Sequence, residues 1–293
     1  MRSQALRADL LMLLTAMIWG SAFVAQRLGM DAIGPFLYTG LRFALATLAL
    51  LPLVLWLGSR DSAHKPAPLN RGLLFGGLAM GLALSLGINL QQVGLLFTSV
   101  TNSGFITGLY VIVVPLLGLF IGHRTGTGTW LGAGLAVAGM FLLSVGEGFQ
   151  VASGDWLQLA GAFVWGVHVL LVSFFASRHD PLRLALLQFA TCALLSLILA
   201  VVFEEIRLDA ILAAGPAILY GGLLGVAVGF TLQVVAQKHA IASHAAIILS
   251  LEAVFAAIAG ALLLGEALAL KGYFGCALMF AGMLLAQLWP KKA

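Results

Sequence analysis

Arg42 and Glu252 are the only base and the only carboxylate that fall deep inside apolar runs of this sequence. A charge at the centre of a bilayer costs about 2.5–3.5 kcal/mol on the insertion scale, so each must face protein or water and find a partner. The two could pair, Arg42 could meet the carboxylate of a bound ligand, and Glu252 could take up a proton as its surroundings change. The structural alternative is that each caps a helix end or fixes packing. Amides add a second set. Ser85, Asn89 and Gln92 are spaced four and then three apart, and Gln233 and Gln237 four apart, so each set shares one helix face. Lipid cannot satisfy a row of amides, so these faces turn to a cavity or a neighbouring helix. Gln92 and Gln237 read as interior hydrogen bonds, Asn89 and Gln233 as ligand contacts. Asn102 and Phe105 lie one turn apart, with Asn102 equally readable as a helix cap. Trp19 shares a face with Phe23 and Gln26, and Trp165 with His168. A cavity floored by Trp19 and Trp165, with Tyr38, Phe105 and Tyr110 nearby, would stack on a flat ring and attract a cation to the ring faces. His168 serves either a ligand or a neighbouring carbonyl.

These side chains need elements to hold them. Of 293 residues 61% are hydrophobic and 9% charged, with a mean hydropathy of +1.07, whereas a soluble domain carries about 25% charged residues. Such numbers exclude a water-soluble fold, a disordered chain, collagen, a coiled coil and a disulfide-stapled module. Polar, Gly, Pro and charged clusters cut the chain into ten apolar segments near 9–29, 33–57, 72–94, 99–121, 128–146, 155–177, 181–202, 212–237, 243–265 and 270–289. A spanning helix needs about 20 such residues, and no segment shows the alternation of a membrane barrel strand. The first run continues to Met30 beyond Arg2 and Arg7. It exceeds the roughly 7–15 residues of a signal-peptide core and reads as a retained span. Cys192 and Cys276 sit in apolar runs and report no redox compartment. A net charge of +4 is too small to point to a nucleic-acid partner.

The bases are distributed unevenly. Eleven of the fifteen Lys and Arg fall on the side of the N-terminus, three (Arg27, Arg207, Lys271) on the other, and Arg42 within a span. Because such residues stay in the cytoplasm, both termini are expected there. The chain also repeats itself. Trp19-Gly20 recurs as Trp165-Gly166 at an offset of 146, where Arg42 meets Gln188; Gly76-Gly77 meets Gly221-Gly222 at 145, and Gly139-Met140 meets Gly282-Met283 at 143. The expected organisation is an all-α membrane protein of ten helices, with a five-helix repeat at 1–148, a linker at 149–154 and a second repeat at 155–293. An odd number of spans per half inverts the second relative to the first. That architecture points to a transporter with its site between the halves, near the bilayer midplane. Many of the 35 glycines recur at four-residue spacing, as in Gly77/Gly81, Gly221/Gly225 and Gly225/Gly229. Such spacing lets helix backbones approach closely; the alternative is that the Gly-rich third and eighth helices flex.

The Trp-Gly doublets, the stretch from Thr98 to Phe105 leading into Gly108 to Pro115, and Ser250-Leu251-Glu252-Ala253-Val254-Phe255 followed by Leu264-Gly265-Glu266 resemble the EamA repeats of the drug/metabolite transporter superfamily. The likeness covers nearly the whole chain. It implies a basket of ten helices around a central cavity, exporting amino acids or other small metabolites across the inner membrane without a covalent cofactor. Within the superfamily the sequence is similar to bacterial exporters of aromatic amino acids, with multidrug or organic-cation export the alternative. Two departures stand out. Gly122-His123-Arg124 replaces a Gly-Glu at the end of the fourth span, and Ala253 replaces a proline, which predicts a straighter ninth helix. An intramembrane enzyme is disfavoured, because no His-Glu-x-x-His site, nucleophile elbow or phosphate loop is present. His239 and His244, five apart, do not share a face, so no metal is expected. A channel is disfavoured by the lack of a filter or charge ring. The expected partners are a small-molecule substrate and the lipid bilayer.

Overall fold

The computed structural model describes residues 2–60, 70–122, 125–144, 152–266 and 270–289, and every regular element in them is helical. The first repeat contributes α1 (Arg2–Gly29), α2 (Pro35–Arg60), α3 (Arg71–Gly94), α4 (Val100–Gly108), α5 (Tyr110–Phe120) and α6 (Thr127–Ser144). The second contributes α7 (Ser153–Ala176), α8 (Pro181–Phe203), the short α9 (Leu208–Ala213) and α10 (Gly215–Leu219), a π-helical stretch (Tyr220–Phe230), α11 (Thr231–Gln237), α12 (Ala242–Leu249), α13 (Glu252–Leu264) and α14 (Leu270–Leu288). Eight helical segments among the described residues are long and apolar enough to cross a membrane. The two remaining segments of the expected ten, near 128–146 and 270–289, form shorter apolar helices, Thr127–Leu142 and Leu270–Ala286. Residues 149–151 of the expected linker at 149–154 lie outside the described residues, as do residues 61–69 of the longest polar loop and His123-Arg124.

Packing follows the repeat. α3 lies against α7 and α8, while its counterpart in the second repeat, the π-helical stretch, lies against α1 and α2. Likewise α1 packs on α13, α7 packs on α4 and α5, and α6 pairs with α14. Each repeat thus completes the other's core. Carboxylates reinforce the exchange. A helix N-terminus leaves backbone N–H groups unpaired and favours negative charge. Glu204, after α8, accepts the Phe36 and Leu37 N–H groups of α2, both at 2.8 Å. Glu266, after α13, accepts the Val100 and Thr101 N–H groups of α4 at 3.2 Å. The chain reaches Glu266 through Gly265 at φ +69°, and Gly122, its counterpart at an offset of 143, has φ +81°. A side chain rarely adopts that conformation, so glycine is required at both turns.

Glycines also permit the closest helix crossings. A Cβ at Gly20 would collide with the Phe255 Cβ and stand 2.7 Å from the Ala256 nitrogen. One at Gly132 would stand 2.6 Å from the Gly282 carbonyl. Backbone has no rotamer with which to yield. Gly20→Ala is therefore expected to destabilise the α1–α13 contact by about 1–3 kcal/mol, the usual range for overpacking. Thermal unfolding of the protein in detergent checks this: the midpoint falls in the variant and is restored by no change on the lipid-facing side.

Three helix irregularities contribute residues to one cavity. Between α4 and α5 the bonding tightens to three-residue spacing, with Leu109 N–H on the Ile106 carbonyl at 3.1 Å and Ile112 N–H on Leu109 at 3.0 Å. At the corresponding place between α12 and α13, Leu251 bonds Ile248 at 3.2 Å and Val254 bonds Leu251 at 3.0 Å. The ninth span is thus interrupted although Ala253 stands in place of a proline, because the tightening lies at Ser250-Leu251 and needs no missing donor. The third irregularity is the eleven-residue π-helical stretch. Gly221, Gly222 and Gly229 present no side chain to Tyr38, Leu45 and Trp19, which press against it. Such departures from α-helix commonly mark functional hinges.

Candidate functional site

A cavity between the repeats collects side chains from all three irregular regions. It is lined by Trp19, Ala22, Phe23, Gln26, Arg42, Ile88, Gln91, Thr107, Tyr110, Trp165, Val169, Gly225, Phe230, Gln233 and Glu252. The space open to the centre of a water molecule is about 30 Å³, room for about two waters by that measure. An amino-acid-sized molecule does not fit until the walls move.

Two ionisable side chains border this cavity. Arg42 is 2% exposed and Glu252 4%. The Arg42 guanidinium donates to Gln92 Oε1 at 3.1 Å and to Gln26 Oε1 at 3.4 Å, and lies 5.1 Å from the Tyr38 ring centroid. Its Nε has no partner. Glu252 starts α13, immediately after the tightened turn, where the helix dipole favours a negative group. The Tyr110 hydroxyl, at the equivalent start of α5, lies beside that carboxyl but off hydrogen-bonding geometry. Arg42 and Glu252 form no ion pair with each other. Further buried polar atoms around the cavity lack protein partners, namely Trp165 Nε1 and Gln233 Oε1. Each such atom costs about 1–3 kcal/mol when left unpaired. The cavity therefore offers a guanidinium, a carboxyl group and loose polar atoms beside several aromatic rings.

The aromatic wall centres on Phe230. Its ring lies 4.5 Å from Trp19 and 5.9 Å from Trp165, nearly parallel to the latter at 17°. Phe43 at 5.9 Å, His168 at 6.3 Å and Phe189 at 6.4 Å complete the surround. Trp19 is fixed by donating Nε1–H to the Gly225 carbonyl at 3.0 Å.

Of the residues singled out by sequence, Trp19, Phe23, Gln26, Arg42, Tyr110, Trp165, Gln233 and Glu252 border the cavity. The others stand elsewhere. Tyr38 is fully buried beneath Arg42 and donates to the Ala217 carbonyl at 3.1 Å. His168 bonds Gln188 at 2.9 Å behind the Trp165 and Phe230 rings. Asn89 donates to Ser196 Oγ at 2.8 Å and the Ser85 carbonyl at 2.7 Å, joining α3 to α8. Phe105 packs with the core between α6, α13 and α14. Asn102 is not the cap of α4; Ser99 is, its hydroxyl accepting the Asn102 N–H at 3.0 Å. Gln92 and Gln237 bond inside the protein but not to each other, Gln92 to Arg42 and Gln237 to Ser173 at 2.8 Å.

Sequence reasoning missed Phe230, Gln91 and Thr107. Gln91 donates to Thr107 Oγ1 at 3.2 Å, which donates to Gln158 Oε1 at 3.3 Å, tying α3, α4 and α7 together beside the cavity. The signal for Gln91 was its place beside Gln92, and for Thr107 a hydroxyl in an apolar run. Phe230 carried no signal beyond its place after Gly229, being one of 18 phenylalanines. Among the described residues no three His, Cys, Asp or Glu side chains gather as metal ligands.

Residues 6–145 and 152–288 each match the EamA-like transporter family. An uncharacterized transporter of Archaeoglobus fulgidus is 31% identical over 288 residues, covering 97% of this chain and 86% of that one. A probable terminal-alkyne amino-acid exporter of Streptantibioticus cattleyicolor is 27% identical over 227 residues, covering 75% and 72%. A solved crystal structure superposes with a TM-score of 0.75 over 96% of each chain at 21% identity, a likeness of fold.

Proposed function

From the premise that this chain belongs to the EamA-like transporter family and is a multi-pass membrane transporter, we propose that it exports amino acids, aromatic ones in particular, across the inner membrane by alternating access. The observation that carries this reading is the placement of Arg42 and Glu252 on one cavity without mutual pairing. A buried charge needs a counter-charge. An α-amino acid supplies both, its carboxylate for Arg42 and its ammonium for Glu252, with its side chain toward the rings of Trp19 and Trp165. The name of the Streptantibioticus relative, an amino-acid exporter, agrees with that class. An organic cation would suit Glu252 and the rings but would leave Arg42 uncompensated.

In this reading α6 and α14 complete ten spans, and the two repeats are inverted with both termini cytoplasmic. The exchange of packing partners between the repeats, and paired helix tightenings at equivalent positions, support that arrangement. The cavity must widen to admit an amino acid. Rocking one repeat against the other would open it to either side in turn. Counterflow into proteoliposomes, across a panel of amino acids and organic cations at two pH values, tests the function. Tryptophan and phenylalanine are expected to exchange faster than in empty vesicles. Exchange of organic cations alone, with amino acids at the level of empty vesicles, would overturn it.

A further inference from the structure

Phe230 is an aromatic side chain enclosed by other aromatic rings as a ligand would be. It is 5% exposed, lies parallel to Trp165, and has Trp19 closer to it than any other ring. Trp19 and Trp165 are the same two rings whose repeat-related positions offer a stacking floor for a substrate. Their facing surfaces are already taken by a ring of the protein itself. We propose that Phe230 occupies the place of the substrate's side chain in this form and sets the size of side chain that the transporter accepts. The inference rests on this cavity being the amino-acid site.

The backbone that carries Phe230 is built to move it. Phe230 is the last residue of the π-helical stretch, and α11 resumes at Thr231, whose buried hydroxyl has no partner. A π-helix carries its bonds at five-residue spacing and is rare beyond a single turn, so a return to α-helix over part of Tyr220–Phe230 is a small local change that swings Phe230 around the axis. Glycine at 221, 222, 225 and 229 leaves few side chains to obstruct that turn. One hydrogen bond reports on it: Trp19 Nε1–H to the Gly225 carbonyl at 3.0 Å. Withdrawal of the ring therefore alters the hold on Trp19, and the two move as one gate. A substrate ring that enters between Trp19 and Trp165 must displace Phe230 first, which lowers apparent affinity by the fraction of molecules with the ring withdrawn.

The test is the substrate profile of Phe230 variants in proteoliposome counterflow, with alanine, phenylalanine and tryptophan as substrates. Phe230→Ala is expected to lower the KM for tryptophan about tenfold relative to that for alanine, with kcat changed far less. Phe230→Trp is expected to raise the KM for tryptophan by at least as much. Phe230→Leu guards against misfolding of the alanine variant and should fall between Phe230→Ala and the native protein. Native protein that exchanges none of the three would overturn the amino-acid reading of the site, and this inference with it. Native protein that exchanges them, with variants altering kcat or KM for all three equally, would overturn the assignment of Phe230 while leaving the site intact.

Discussion

Arg42→Gln lowers kcat/KM for a zwitterionic amino acid by about 100-fold, because removing one member of a buried charge pair costs about 2–5 kcal/mol and each 1.4 kcal/mol is a factor of ten. The substitution is mild for the fold. Glutamine stands at the equivalent position of the second repeat, Gln188, where it is fully buried and bonded to His168. A glutamine at 42 supplies an amide donor while removing the charge and the unpaired Nε. The loss should therefore fall on substrate carrying a carboxylate, with the protein's yield and thermal midpoint preserved. Arg42→Lys restores charge without the planar fork and should recover only part of the rate. Counterflow with native and variant protein in matched vesicles measures both. Unchanged kcat/KM in Arg42→Gln would exclude the arginine from substrate binding.

Glu252→Gln is expected to weaken binding of an amino acid by a comparable factor and, in addition, to remove the pH dependence of exchange. Glu252 is buried at the start of α13 with Tyr110 beside it and no base in ion-pair contact. Only its ionised form balances an ammonium, so in the native protein affinity is highest where the carboxyl is deprotonated and declines as pH falls through its titration. A glutamine cannot titrate. Its exchange rate should be lower throughout and flat over the interval in which the native rate varies. A variant that retains the native pH profile would place the titrating group elsewhere.

Much of this organisation is legible in the residues themselves. The Trp19-Gly20 and Trp165-Gly166 doublets announce two repeats, and two stretches of the chain match one family accordingly. Apolar runs mark the helices because a membrane leaves no other way to satisfy the backbone. Length is less secure at the ends, and the fifth and tenth segments form shorter apolar helices than the other eight. Spacing along a helix states which residues share a face but not where that face points. Asn89 and Gln233 are alike in type and in setting, yet Asn89 joins α3 to α8 whereas Gln233 borders the cavity. His168 shares a face with Trp165 but lies behind it, turned to Gln188. Phe230 escapes notice for a further reason. Its position depends on a π-helical register that no proline announces and that the pressure of Trp19, Tyr38 and Leu45 on a glycine-rich strip accommodates. The tightened turn before Glu252 is hidden in the same way, since Ala253 gives no hint of a break.

The two charges of the cavity make the substrate assignment directly testable by binding to purified protein. Titration with tryptophan, N-acetyltryptophan and tryptophan amide, followed by calorimetry, presents the same ring with both charges, without the ammonium, and without the carboxylate. If Arg42 and Glu252 hold a zwitterion, tryptophan binds and each blocked analogue binds about 100-fold more weakly or not at all. Equal binding of all three would show that the ring alone is recognised and would contradict the assignment of both charges.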